Sequence, residues 1–109
     1  MAYDEDLAQR IRMALGGYVG LTERKMFGGL CFMLYGNMCC GVVKDTLMVR
    51  VGPAEHDDAL AQPGARPMDF TGRPMKGMVY VDAEACASDN DLAQWVERGL
   101  AFVMSLPAK

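Results

Sequence analysis

The sequence is poor in the residues that carry out chemistry. Its 109 residues hold one histidine, His56, and neither an HxxxH nor a CxxC pair, so the ligand spacings of a zinc site and the dithiol of a redox site are both missing. Gly16-Gly17 and Gly28-Gly29 do not stand between a strand and a helix, and no Walker lysine follows them, so they read as turns rather than as a phosphate cradle. Ser88 and Ser105 read as a helix cap and a helix-end residue. Basic excess is also lacking: 11 Lys and Arg against 14 Asp and Glu give a net charge of −3, which argues against a general affinity for nucleic acid or anionic lipid. No apolar run approaches the ~18 residues that a membrane span needs. The acidic start, Asp4-Glu5-Asp6, has no apolar core and is unlike a secretory signal. These absences lead to the expectation of a cytoplasmic protein with no catalytic residues, no cofactor and no metal.

What is present is enough to fold. Apolar residues make up 51% and charged residues 23%, which fits one globular domain over residues 1–109 with a single two-layer core. Four cysteines, Cys31, Cys39, Cys40 and Cys86, lie in apolar or small-residue surroundings and are expected to be buried thiols. The densest apolar stretch runs from Arg24 to Val51 and reads as a four-stranded antiparallel meander over Thr22–Phe27, Leu30–Tyr35, Met38–Val43 and Thr46–Val51. Its connectors are Gly28-Gly29, Gly36-Asn37 and Lys44-Asp45, two-residue hairpin signals of which Gly-Asn fits a type II′ turn.

Pairing the strands through these connectors sorts the side chains onto two faces. One face collects Met26, Cys31, Met33, Tyr35, Met38, Cys40, Val42, Leu47, Val49 and Val51, and is expected to lie under helices. The other is mixed, with Phe27, Phe32, Leu34 and Met48 beside Lys25 and Arg50, and is expected to be a contact surface.

Around the meander, Leu7, Ile11, Ala14 and Leu15 mark a first amphipathic helix, which Gly16-Gly17 ends. Ala54–Gln62 reads as a short helix carrying His56, whose acidic neighbours point in different directions and make no metal site. The proline- and glycine-rich passage from Pro63 to Gly77 reads as irregular, with Phe70–Gly77, including Arg73 and Lys76, as a candidate functional loop. Met78–Val81 is a short last strand. Ser88 with Asp91 resembles a capping box before a final helix spaced by Leu92, Trp95, Val96, Gly99 and Val103. The order is α-β-β-β-β-α-β-α, an α+β two-layer domain whose five-stranded sheet is covered on one side by the N- and C-terminal helices.

Three functions compete. The first is a non-catalytic interaction module that docks a protein partner, or a second copy as a homodimer, through Lys25, Phe27, Phe32, Leu34, Met48 and Arg50 together with the loop residues Arg73 and Lys76. The second is nucleic-acid binding through Arg24, Lys25, Arg50, Arg66, Arg73 and Lys76, which the acidic balance opposes. The third is a soft-metal or thiol protein in which Cys31 and Cys40, sharing a face with Met33 and Met38, would hold Cu(I); core packing accounts for the same residues.

The run Lys25-Met26-Phe27-Gly28-Gly29, then Gly36-Asn37-Met38, Leu47-Met48-Val49-Arg50-Val51 and Gly72-Arg73-Pro74-Met75-Lys76-Gly77, resembles the N-terminal domain of the TfoX/Sxy family, as does the closing helix with Trp95-Val96. The likeness covers nearly the whole chain, which reads as a stand-alone copy of that domain. It implies a small bacterial α+β domain tied to the regulation of competence and transcription, a role attached to longer members with a further C-terminal domain. It implies no catalytic residues.

Overall fold

The computed structural model describes residues 3–26, 28–69 and 74–107. Helix α1, Glu5–Leu15, begins where Asp4 caps it: the Asp4 carboxylate accepts from the backbone N–H groups of Asp6 and Leu7 at 2.8 and 3.2 Å, satisfying two amides that a helix start leaves unpaired. Strands β1 (Leu21–Met26), β2 (Gly29–Leu34), β3 (Asn37–Val43) and β4 (Thr46–Arg50) follow as the antiparallel meander. A 3-10 turn at Pro53–Glu55 leads into the short helix α2, His56–Leu60. Strands β5 (Ala65–Asp69) and β6 (Pro74–Val81) come next, and a 3-10 turn at Ala83–Cys86 precedes α3, Asp89–Val103. Ser88 caps α3 by accepting from the Asp91 N–H at 3.0 Å.

The architecture is α+β as expected, but the antiparallel sheet has six strands, in the order β1-β2-β3-β4-β6-β5. The additional strand, β5, occupies part of the passage expected to be irregular. Proline disguised it: Pro67 cannot donate to a ladder, yet β5 lies at the sheet edge and pairs only with β6, where a missing donor is tolerated.

Turn chemistry explains the register. The second hairpin closes through Tyr35 and Gly36, with φ of 51° and 82°, between the paired residues Leu34 and Asn37. Two successive positive φ values define a type I′ connector in place of the expected Gly36-Asn37 turn. Asn37 instead begins β3, where it is buried and its Nδ2 donates to the Pro107 carbonyl at 2.9 Å, tying down the chain after α3. The first hairpin pairs Met26 with Gly29. The third turns through Lys44 and Asp45 as read, with Val43 opposite Thr46. Moving a hairpin turn by one residue changes partners without changing faces, because both strands shift together.

A bulge does change faces. Met33 lies opposite Met38, but Phe32 lies opposite Cys40, so Cys39 is the extra residue in β3. From that point the alternation of β3 and β4 is inverted relative to β2. Leu30, Phe32 and Leu34 therefore join Cys40, Val42, Leu47, Val49, Val79 and Val81 in the core beneath α1 and α3. Cys31, Met33, Met38, Met48, Met68 and Met78 form a second, sulfur-rich cluster built only from strands. The two expected faces were thus each composed of halves of the real ones.

Helix α3 lies close over β3 and β4. A Cβ on Gly99 would stand 2.8 Å from the Cys39 carbonyl oxygen and 3.1 Å from its Sγ, so glycine at this helical position sets the approach of α3 to the sheet.

Candidate functional site

The face expected to dock a partner does not exist as one surface. Phe32 and Leu34 are 0% and 1% exposed in the main core, with the Arg12 guanidinium of α1 5.9 Å from the Phe32 ring centroid. Met48 is buried on the opposite side, in the sulfur cluster. Lys25 is exposed on edge strand β1, and Arg50 is half-buried with its guanidinium 5.2 Å over the ring of Phe102 in α3. Phe27 and Arg73 lie outside the described residues, as does the first half of the expected Phe70–Gly77 loop; its second half, Pro74–Gly77, is not loop but the start of β6, paired with β5, and Lys76 is exposed there. The bulge at Cys39 is the physical reason: a count by twos carried across it assigns residues of β3 and β4 to the wrong side.

The same inversion separates the thiols, with Cys31 in the sulfur cluster and Cys40 in the main core. A site using both is therefore ruled out by geometry. Burial pushes the Cys31 thiol up to about 11, and Cys40 is held well above its ordinary value by its contact with the Cys39 thiol and by burial. Cys86 is also raised by burial, and its Sγ donates to the Asp82 and Ala83 carbonyls at 3.6 and 3.7 Å. Thiols held protonated are poor nucleophiles and poor metal ligands. No group of three His, Cys, Asp or Glu side chains among the described residues is placed to hold a metal ion. His56 has a structural bond: its Nδ1 accepts from the Gly77 N–H at 2.9 Å.

The basic residues do not converge either. Arg66 is engaged by Asp82 at 2.7 Å and stacks 5.4 Å over Tyr80, while Arg24 and Lys25 sit at the far edge strand, β1.

What the strand-by-strand reading missed is the flank of α3. Between α3 and the Pro53–Glu55 turn lies an open cleft of about 610 Å³, with Val51, Pro53, Ala54, Ala101 and Phe102 as apolar lining. A second cleft of about 340 Å³ continues towards the start of α3, against Trp95, Ala85 and Pro63. Gln94 and Arg98 line both. At their junction Arg98 donates to Asp58 of α2 at 3.1 Å, and its guanidinium lies 5.2 Å over the Trp95 ring. The ring and the carboxylate together hold the arginine flat along the helix. Glu55, Asp58 and Glu97 border the larger cleft and Glu84 and Asp91 the smaller, so five carboxylates face one guanidinium, a net charge of −4. Helical spacing did contain this signal, since Asp91, Gln94, Glu97, Arg98 and Ala101 lie on the side of α3 away from its buried stripe. The partner wall, α2 and the turn before it, coincides with the short helix read over Ala54–Gln62, but nothing local placed that helix beside α3.

A second exposed feature lies at the end of the sheet near the β2–β3 turn. Tyr18, Val19 and Tyr35 are exposed there, and the Tyr35 N–H donates to the Gly20 carbonyl at 3.0 Å.

These observations define a small α+β domain with sealed thiols and an open, acidic double cleft beside its last helix. The chain belongs to the TfoX N-terminal domain family, whose model matches residues 13–103. Comparison with curated proteins and with solved structures gives no match. No helix among the described residues is long and apolar enough to cross a membrane.

Proposed function

We propose that this protein is a cytoplasmic regulatory module that performs no chemistry of its own and acts by docking another protein along α3. The observation that carries the reading is the double cleft: an apolar floor left open to solvent and rimmed by charge matches the apolar centre and polar rim of a protein contact surface. Membership of a regulatory-domain family supports it, with competence and transcription control as the setting that family suggests. This site replaces the Phe32 face as the surface on which the function rests.

The test is to fill the clefts and ask what is lost. Gln94→Phe combined with Ala101→Phe adds bulk at two exposed α3 positions that line them. Immobilised wild type is expected to retain partners from the native cell that the double variant does not. Retention of the same set by both proteins, at equal thermal stability, would remove the clefts from the function.

A further inference from the structure

We propose that the segment received by the α3 clefts is basic and amphipathic: a stretch of a partner protein that presents Lys or Arg on its margins and an apolar face to Phe102, Ala101 and Trp95. This rests on the docking reading above and specifies its occupant.

Charge is the first argument. The chain as a whole carries −3, and the residues lining the clefts carry five carboxylates and one guanidinium, that of Arg98, already paired to Asp58; with the Arg50 guanidinium 5.2 Å over Phe102 counted as well, the excess at this one surface is still −3. Negative charge is therefore focused at this surface beyond the average of the molecule. Clefts lined by one sign of charge over low-dielectric walls concentrate the field and raise the encounter rate of an oppositely charged partner. An acidic peptide, a nucleic acid or an anionic lipid would be repelled.

Shape is the second. From Asp91 to Phe102 the lining follows α3 over 12 residues, about 16 Å of helix axis at 1.5 Å per residue step. That length accepts about three turns of a second helix laid alongside, with apolar anchors one turn apart. The floor is arranged to receive them, with Phe102 and Ala101 one to two turns beyond Trp95 and Arg98 lying flat between. Glu55 and Glu97 stand on the two walls, exposed and without a hydrogen-bonding partner among the described residues, so their charge is available to an incoming cation.

Trp95 is the only tryptophan, which makes the intact protein its own reporter. The probes are a 14-residue amphipathic Leu/Lys peptide and a Leu/Glu peptide of the same pattern, each titrated while Trp95 emission is followed. Glu55→Gln with Glu97→Gln is compared with Met13→Lys with Thr22→Lys, a pair that changes net charge equally at exposed positions of α1 and β1. The expected result is saturable binding of the Leu/Lys peptide, roughly tenfold weaker in the Glu55/Glu97 variant and unchanged in the Met13/Thr22 variant, with no response to the Leu/Glu peptide.

Absence of binding, an equal response to both peptides, or equal weakening by both variant pairs would overturn the proposal. Concentration-dependent self-association abolished by the Glu55/Glu97 variant would also overturn it, by making the occupant a second copy of this chain. If the peptides fail while native partners are still lost on filling the clefts, only the basic occupant is wrong and the docking reading stands.

Discussion

Replacing Gly99 by alanine tests the packing of the fold, because two effects of known size oppose each other there. Alanine is favoured over glycine inside a helix by about 1 kcal/mol, and Gly99 lies within α3, so propensity alone forecasts a gain. The new Cβ would stand 2.8 Å from the Cys39 carbonyl oxygen, 3.1 Å from the Cys39 Sγ and 3.4 Å from Val49 Cγ1. The nearest of these is backbone of the central strand β3 and cannot rotate aside. Relief requires α3 to lift from β3 and β4, and overpacking of a filled core costs about 1–3 kcal/mol. The steric term is the larger, so Gly99→Ala is expected to lose about 1 kcal/mol net, or about 4–8 °C in Tm for a domain of this size. Gly99→Val should lose more. Urea denaturation followed by Trp95, one turn away, reads both. A Gly99→Ala protein as stable as wild type, or more so, would show that α3 stands clear of the sheet, and the account of this interface would be wrong.

Other expectations follow from the same contacts. Phe32→Glu should abolish folding, or cost at least about 3 kcal/mol, since it places a charge in the main core; a soluble, cooperatively folded variant would return Phe32 to the surface. The four thiols should react slowly with a thiol reagent at pH 8 in native protein and promptly in urea. Because the folded protein holds Cys31 protonated to about 11 while an unfolded thiol ionises near 9.0, this contribution to stability is complete below pH 9 and is lost as pH rises towards 11; unfolding midpoints that hold steady across that window would refute the burial. Arg12 donates to Glu23 at 2.6 and 2.8 Å, and that hydrogen bond lowers the Glu23 carboxyl below its ordinary 4.5. The pair's stabilisation is present above pH 4.5 and lost as pH falls through the native value. Glu23→Gln should therefore differ from wild type by no more than about 1 kcal/mol at neutral pH and by nothing in acid, as measured by parallel urea titrations.

Elements were more legible than faces. Ser88 announced α3 because caps are local, a side-chain oxygen meeting an amide three residues away, and α1 was legible from the spacing of Leu7, Ile11, Ala14 and Leu15, although its Asp4 cap was not read. The meander was legible because its connectors are two residues long, and the family likeness was carried by those same turn segments. The faces failed at one residue. Nothing in Met38-Cys39-Cys40 marks a bulge, since both cysteines are small, apolar and at home on either side of a sheet, so the inversion is decided by long-range pairing with β2. Strand β5 was hidden by Pro67, whose local preference is overruled at an edge. The cleft beside α3 was half visible: the polar face of the helix follows from its spacing, while the opposing wall depends on where α2 comes to rest against β5 and β6.

The sulfur cluster gives the molecule a chemical memory of unfolding. In the native state Met48 and Met68 have no exposed surface, and Met33, Met38 and Met78 have little, so peroxide reaches them only when the sheet opens. A sulfoxide formed at that moment is polar and chiral and no longer fits between the strands. Each excursion then becomes harder to reverse than the last, and the useful life of the protein under oxidising conditions is governed by how often β6 parts company with β4 and β5 on its two sides.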